Sequence, residues 1–140
     1  MKTMICLILD RSGSMAGRES DVIGGVNTFV DEQKKLPDPA SLAMVRFDTE
    51  AVERFRPMQA LGEVKPLTSA DYQPRGGTPL LDAIGKTLVD LDADWKIEQP
   101  ERAILVIVTD GQENSSREYR KHQIKELIER IQHQKPDAYV

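Results

Sequence analysis

Two stretches of the chain put oxygen ligands where chemistry can use them. Asp10-Arg11-Ser12-Gly13-Ser14 packs a carboxylate and two hydroxyls into five residues, directly after the unbroken apolar run Met4 to Leu9. A second apolar run, Ala103 to Thr109, also ends in an aspartate, Asp110. Between them Gly76-Gly77-Thr78-Pro79 opens a helical pattern with a third hydroxyl. Acidic residues that close buried strands sit at the carboxyl edge of a parallel sheet, where open α/β sheets bind ligands. A hard divalent cation such as Mg2+ takes oxygen ligands in a near-octahedral shell and needs neither thiolate nor imidazole. Asp10 and Asp110 offer two negative charges, and Ser12, Ser14 and Thr78 offer neutral hydroxyls. This set balances a 2+ ion without surplus anion, so the ion stays electrophilic toward an external carboxylate. We therefore read Asp10, Ser12, Ser14, Thr78 and Asp110 as one candidate metal site, with Mg2+ as the expected ion and Mn2+ or Ca2+ as alternatives.

Each piece also has a plain structural meaning. Ser14 and Thr78 are good helix N-caps, and Asp110 or Asp10-Arg11-Ser12-Gly13 can simply begin a turn. Asp48 closes another strand pattern and is read either as a turn residue or as an acceptor behind the metal ligands. Arg11, Arg75, Glu113 and Asn114 fall on loops expected around the ion, where they either set partner preference or are merely solvated. His122 and His133 lie away from the motifs and are read as surface residues.

The elements that must position these residues follow from periodicity. Met4 to Leu9 predicts a buried strand. Asp21 to Lys35 places Val22, Val26, Phe29 and Val30 on one helical face. Pro37-Asp38-Pro39 breaks that helix, and Ser41 to Asp48 reads as a second strand. Ala51 to Met58 reads as an antiparallel edge strand, since Glu53, Arg54, Arg56 and Pro57 discourage pairing with another chain. Leu61 to Arg75 has no period and is read as an irregular connection passing near the site, with one short helical turn at most. Thr78 as N-cap and Pro79 at the first helical position start a helix with Leu80, Leu81, Ile84, Leu88 and Leu91 on its apolar face. Asp92 to Glu101 is read as a polar loop whose Trp95 is a packing anchor. Beyond Asp110, Ser115 and Glu118 have capping-box spacing for a helix carrying Ile124, Leu127, Ile128 and Ile131. Asp137 to Val140 resembles the start of one more strand. The alternation predicts an α/β fold: a doubly wound, mostly parallel sheet with one antiparallel edge strand and helices on both faces.

Composition narrows the function classes. The 140 residues suit one domain, and a net charge of −4 offers no basic footprint for nucleic acid. The single cysteine, Cys6, lies inside the first strand pattern, so it is read as a buried apolar thiol. No run reaches membrane-spanning length, and the expected location is the cytoplasm.

In order and spacing, Asp10-Arg11-Ser12-Gly13-Ser14, then Thr78, then Asp110 within Val108-Thr109-Asp110-Gly111 resemble the von Willebrand factor type A (vWA) domain, which is Rossmann-like. Its metal-ion-dependent adhesion site consists of an Asp-x-Ser-x-Ser motif, a separate Thr and a separate Asp. The resemblance implies direct metal contacts for Ser12, Ser14 and Thr78, and direct or water-mediated ones for Asp10 and Asp110. It runs from Met4 to about Val140 and implies that the usual last strand and helix are lacking, as in a truncated or minimal form. It further implies a non-enzymatic binding module whose Mg2+ captures an Asp or Glu of a protein partner, with ATPases and assembly factors among the candidate partners. The alternatives are a metal-dependent phosphohydrolase and a scaffold with a purely structural metal site. The hydrolase lacks support in the sequence: there is no phosphate-binding Gly-x-x-x-x-Gly-Lys-Ser/Thr loop and no histidine near the motifs.

Overall fold

A computed structural model describes residues 2–48 and 51–109, the helical positions Gln123, Lys125, Glu126, Ile128 and Glu129, and the pair Ala138–Tyr139. Five strands, β1 (Thr3–Asp10), β2 (Ala40–Phe47), β3 (Val52–Ala60), β4 (Arg102–Val108) and β5 (Ala138–Tyr139), form one sheet in the order β3-β2-β1-β4-β5. β1 pairs in parallel with β2 and β4, β4 in parallel with β5, and β3 runs antiparallel along β2 with irregular register. This is the expected mostly parallel sheet with an antiparallel edge. Every residue of β1 is buried, as a strand covered on both faces requires.

Strand alternation divides the core in two. Met4, Cys6 and Ile8 face helix α2 (Leu80–Glu98), where Ala83, Ile84, Leu88 and Leu91 meet them. Ile5, Leu7 and Leu9 face helix α1 (Glu19–Lys34), where they meet Val22, Val26 and Val30. Ile128 packs against the α2 side while Gln123, Lys125, Glu126 and Glu129 are exposed, in keeping with the amphipathic pattern expected there. Among the described residues no helix is long and apolar enough to cross a membrane.

Three boundaries differ from expectation. α1 begins two residues early, with Glu19 and Asp21 in its first turn, where carboxylates favour the positive helix end. α2 begins at Leu80 with Pro79 in the cap position, so Thr78 lies one residue ahead of it and is not its cap. Most of the predicted polar loop from Asp92 to Glu101 is instead the end of α2. Trp95 extends the apolar face over the core, as a packing anchor, while Asp94 is clamped by Arg54 from β3, Nη1 to Oδ1 at 3.1 Å and Nη2 to Oδ2 at 2.6 Å. The helix stops where Gln99 turns left-handed, just before Pro100.

The irregular connection has a route imposed by topology. Because β3 is antiparallel, its last residue, Ala60, lies opposite Ser41 at the amino edge of the sheet, whereas the candidate site is at the carboxyl edge. Residues 61–79 climb back over the α1 face. A single 3-10 turn, Leu61–Glu63, starts the climb, and Leu61, Val64, Leu67 and Tyr72 bury themselves in the α1-side core. Lys34 Nζ donates to the Val64 carbonyl at 2.8 Å. Asn27 makes a two-way pair with Leu67, donating from Nδ2 at 3.0 Å and accepting its amide at 2.6 Å.

Candidate metal centre

Three parallel strands end level, so their next residues converge. Asp10 lies opposite Phe47, and Leu9 opposite Val108. Asp48 and Thr109 therefore flank Asp10 at the sheet's carboxyl edge. Chain order places β2 and β3 on one side of β1, and α2 then leads to β4 on the other. This reversal is the point at which doubly wound sheets open a binding crevice.

Asp10 has no solvent exposure, and its carboxylate is held by two protein donors. Oδ1 accepts the Ser12 amide at 2.9 Å, and Oδ2 accepts the Thr109 hydroxyl at 2.8 Å. The Tyr72 hydroxyl donates to the Asp10 carbonyl from the end of the climbing connection. Thr109 and Tyr72 are site residues that sequence reading missed. Thr109 had a usable signal, since the residue after β4 must adjoin the residue ending β1. Tyr72 had only its place as an aromatic in a polar connection.

The Asp10 loop continues as a 3-10 turn, Gly13–Met15, with Ser12 at its cap position. Ser14 thus lies inside this turn and does not cap α1, whose cap position is Arg18. The loop is stapled to the Thr78 loop by two backbone bonds, from the Gly13 amide to the Gly76 carbonyl at 2.8 Å and from the Arg75 amide to the Arg11 carbonyl at 2.6 Å. A Cβ on Gly13 would lie 3.3 Å from that Gly76 oxygen, and Gly76 itself has φ +69°, so both positions call for glycine. Ser12 and Thr78 are fully buried on these joined loops.

Asp48 is buried, but it does not stand directly behind Asp10. Its Oδ2 accepts Arg11 Nε at 2.9 Å and Arg75 Nε at 2.5 Å, and its Oδ1 accepts the Ala51 amide at 3.2 Å. Arg11 is consequently an interior residue and not a solvated loop charge. Arg75 keeps 47% of its side chain exposed.

Of the five predicted ligands, the structure brings the Asp10 loop, with Ser12 and Ser14, against the Thr78 loop. Asp110 lies outside the described residues, as do Glu113, Asn114, His122 and His133. Among the described residues no three His, Cys, Asp or Glu side chains cluster as a cation site, so the donors here are one carboxylate and hydroxyls. That set fits a hard cation. An ionised carboxylate offers about four acceptor positions, and protein donors fill two of those on Asp10. The remaining capacity is what a hard, oxygen-seeking cation would use if one were bound here.

The fold is shared with solved structures of low sequence similarity. The vWF domain of the type V pili tip protein Mfa5 from Porphyromonas gingivalis superposes with a TM-score of 0.60 at 15% identity, covering 86% of this chain and 42% of that one. A structure of three N-terminal domains of the same pilus protein gives 0.59 at 14% identity, covering 86% of this chain and 22% of that one. The chain thus spans less than half the length of either match. No protein-family model matches the sequence, and no curated protein does. The comparison establishes a vWA-like, Rossmann-like α/β fold.

Proposed function

We propose that the chain is a protein-binding module in which a divalent cation, Mg2+ in the first instance, is held by Asp10, Ser12, Ser14, Thr78 and Asp110 and accepts a carboxylate from an Asp or Glu of a protein partner. One observation carries the reading: the buried carboxylate of Asp10 and the buried hydroxyl residues Ser12 and Thr78 sit on two loops bonded to each other at the sheet's carboxyl edge. The Asp10 carboxylate accepts two protein donors among the described residues, and its further acceptor capacity is what a bound cation would use. When bound, the ion supplies an electrophilic centre for an incoming carboxylate. The protein's part is to hold the Asp10 carboxylate in place, through the Ser12 amide and the Thr109 hydroxyl, and to fix the hydroxyl residues beside it. With three neutral hydroxyls among the five ligands, the two carboxylates balance the ion without surplus anion, which leaves it electrophilic toward an acidic partner. The shared fold with a pilus tip domain supports a binding role over a catalytic one, and an ATPase or assembly factor remains a partner to look for.

The test is capture of partner proteins from a native lysate in Mg2+ and in chelator, with Asp10→Ala as control and mass spectrometry as the readout. The expected result is a partner retained by the wild type in Mg2+ and lost both in chelator and with Asp10→Ala. Retention of the same partner under all three conditions would refute the reading.

A further inference from the structure

We infer that Asp48 is a positioning residue of the cation site, a clasp that sets the spacing between the Asp10 loop and the Thr78 loop. The inference rests on the metal-dependent reading proposed above and assigns a role to a residue that is not itself a ligand.

The geometry places one arm of the clasp in each loop. Arg11 stands between Asp10 and Ser12, and Arg75 stands just before Gly76-Gly77-Thr78. Both donate Nε to the same carboxylate oxygen of Asp48, whose side chain has no solvent exposure. The carboxylate is itself fixed: Oδ1 accepts the Ala51 amide, and the Asp48 amide donates to the Ala51 carbonyl at 3.0 Å. The Arg11 amide also donates to the Phe47 carbonyl at 3.0 Å, so the first loop is tied to the end of β2 by backbone and side chain together. The two loops come from segments far apart in sequence, and backbone bonds between Gly13 and Gly76 and between Arg75 and Arg11 join them. Mg2+ tolerates little departure from octahedral geometry, and ligand placement within about 0.5 Å decides whether such a site works.

Charge argues against a purely electrostatic role. Each guanidinium, whatever carboxylates such as Glu53 lie within its reach, is a positive charge near a site for a dication and by itself disfavours the ion. The second arginine opposes cation binding by Coulomb's law and assists it only by holding the second loop. Geometry and charge therefore predict opposite outcomes for removing Arg75.

The experiment is calorimetric titration of MgCl2 into the wild type, Asp48→Asn and Arg75→Met, with thermal unfolding of each in chelator to confirm folding. A clasp predicts that both variants bind Mg2+ about ten-fold or more weakly, as loss of residues supporting metal ligands does, Arg75→Met included although it removes a positive charge. Tighter or unchanged Mg2+ binding by Arg75→Met would overturn the inference, as would wild-type affinity in a folded Asp48→Asn protein. Should Asp48→Asn not fold, Arg75→Met, altered at a half-exposed side chain, decides the question alone. A wild type that binds no Mg2+ would instead remove the underlying metal reading, and this inference with it.

Discussion

Removing the Thr109 hydroxyl tests whether the structure identifies a donor that fixes the Asp10 carboxylate in place. Thr109→Val preserves the branched shape and deletes the donor that lies 2.8 Å from Asp10 Oδ2. Asp10 has no exposure through which water could replace that donor. A hydrogen bond to an ionised partner contributes roughly 1.5–3 kcal/mol, and the neighbouring bond from the Ser12 amide is retained, so we expect a loss of about 2 kcal/mol. With an m-value of about 2 kcal/mol/M, the urea midpoint falls by about 1 M. The melting temperature falls by about 6 °C for a domain of this size. The measurement is made in chelator, so that only the protein's own donors act on the carboxylate. Thr109→Ser is the control, because it keeps the hydroxyl and removes a methyl; it should lose about 0.5 kcal/mol. Two results would refute the reasoning. Thr109→Val within about 0.5 kcal/mol of wild type would mean that Asp10 does not depend on this donor. Thr109→Ser as damaging as Thr109→Val would place the loss in methyl packing.

Two further outcomes follow from contacts away from the site. The two-pronged Arg54–Asp94 pair ties the edge strand to the last turns of α2; because Arg54 keeps a quarter of its side chain exposed, Asp94→Ala should cost about 1–2 kcal/mol. A double-mutant cycle with Arg54→Met in urea should show coupling, and strict additivity would show that the pair contributes nothing specific. Burial pushes the Cys6 thiol up to about 12 from its ordinary value near 9, with the positive charge of Arg54 opposing the shift. The unfolded chain therefore loses this proton first, so the stability that Cys6 contributes is intact below about pH 9 and declines as pH rises toward 12. Urea midpoints of wild type and Cys6→Ala should accordingly converge between pH 8 and pH 10.5, and a constant gap would contradict the assignment.

Much of the fold was legible because its core strands announce themselves. Met4 to Leu9 and Ala103 to Val108 are unbroken apolar runs, the pattern of strands covered on both faces, and they became the adjacent strands β1, buried throughout, and β4, in which Ala103 and Leu105 are buried and the rest are half-buried. The apolar stripes of α1 and α2 were equally plain, as was the charged edge strand β3. The end of α2 was hidden because Asp92, Asp94, Lys96 and Glu98 look like loop composition, although only Lys96 among them is exposed, Asp94 and Glu98 are paired with Arg54 and Lys2, and the inner face of the helix continues through Trp95. Arg11 was misjudged for a different reason. A loop arginine is ordinarily solvated, and what buries this one is a carboxylate 37 residues away. Local pattern carries no information about such a partner until strand register sets Asp10 beside Phe47 and so brings Asp48 alongside. Thr109 escaped because a threonine closing a β-branched run looks like one more strand residue.

The connection between β3 and α2 is where the fold and the candidate site depend on each other most. An antiparallel edge strand delivers the chain to the wrong end of the sheet for a Thr78 that must meet Asp10, so a full strand's length has to be recovered without a strand. A free segment of that length would place Thr78 loosely, and loop entropy would oppose closing it onto the first loop. Instead the segment is fastened at each stage of the climb: to Lys34 and Asn27 on α1, then to the Asp10 carbonyl by Tyr72, then to Asp48 by Arg75 and to Gly13 by Gly76. The irregular stretch thus works as a strut in which each bond shortens the free chain that remains, and the entropy of placing the last hydroxyl residue is spread over contacts that also cover the α1-side core. Its lack of periodicity follows from this role. A helix or strand would repeat one contact pattern, whereas the strut must meet a helix, a strand end and a loop in turn.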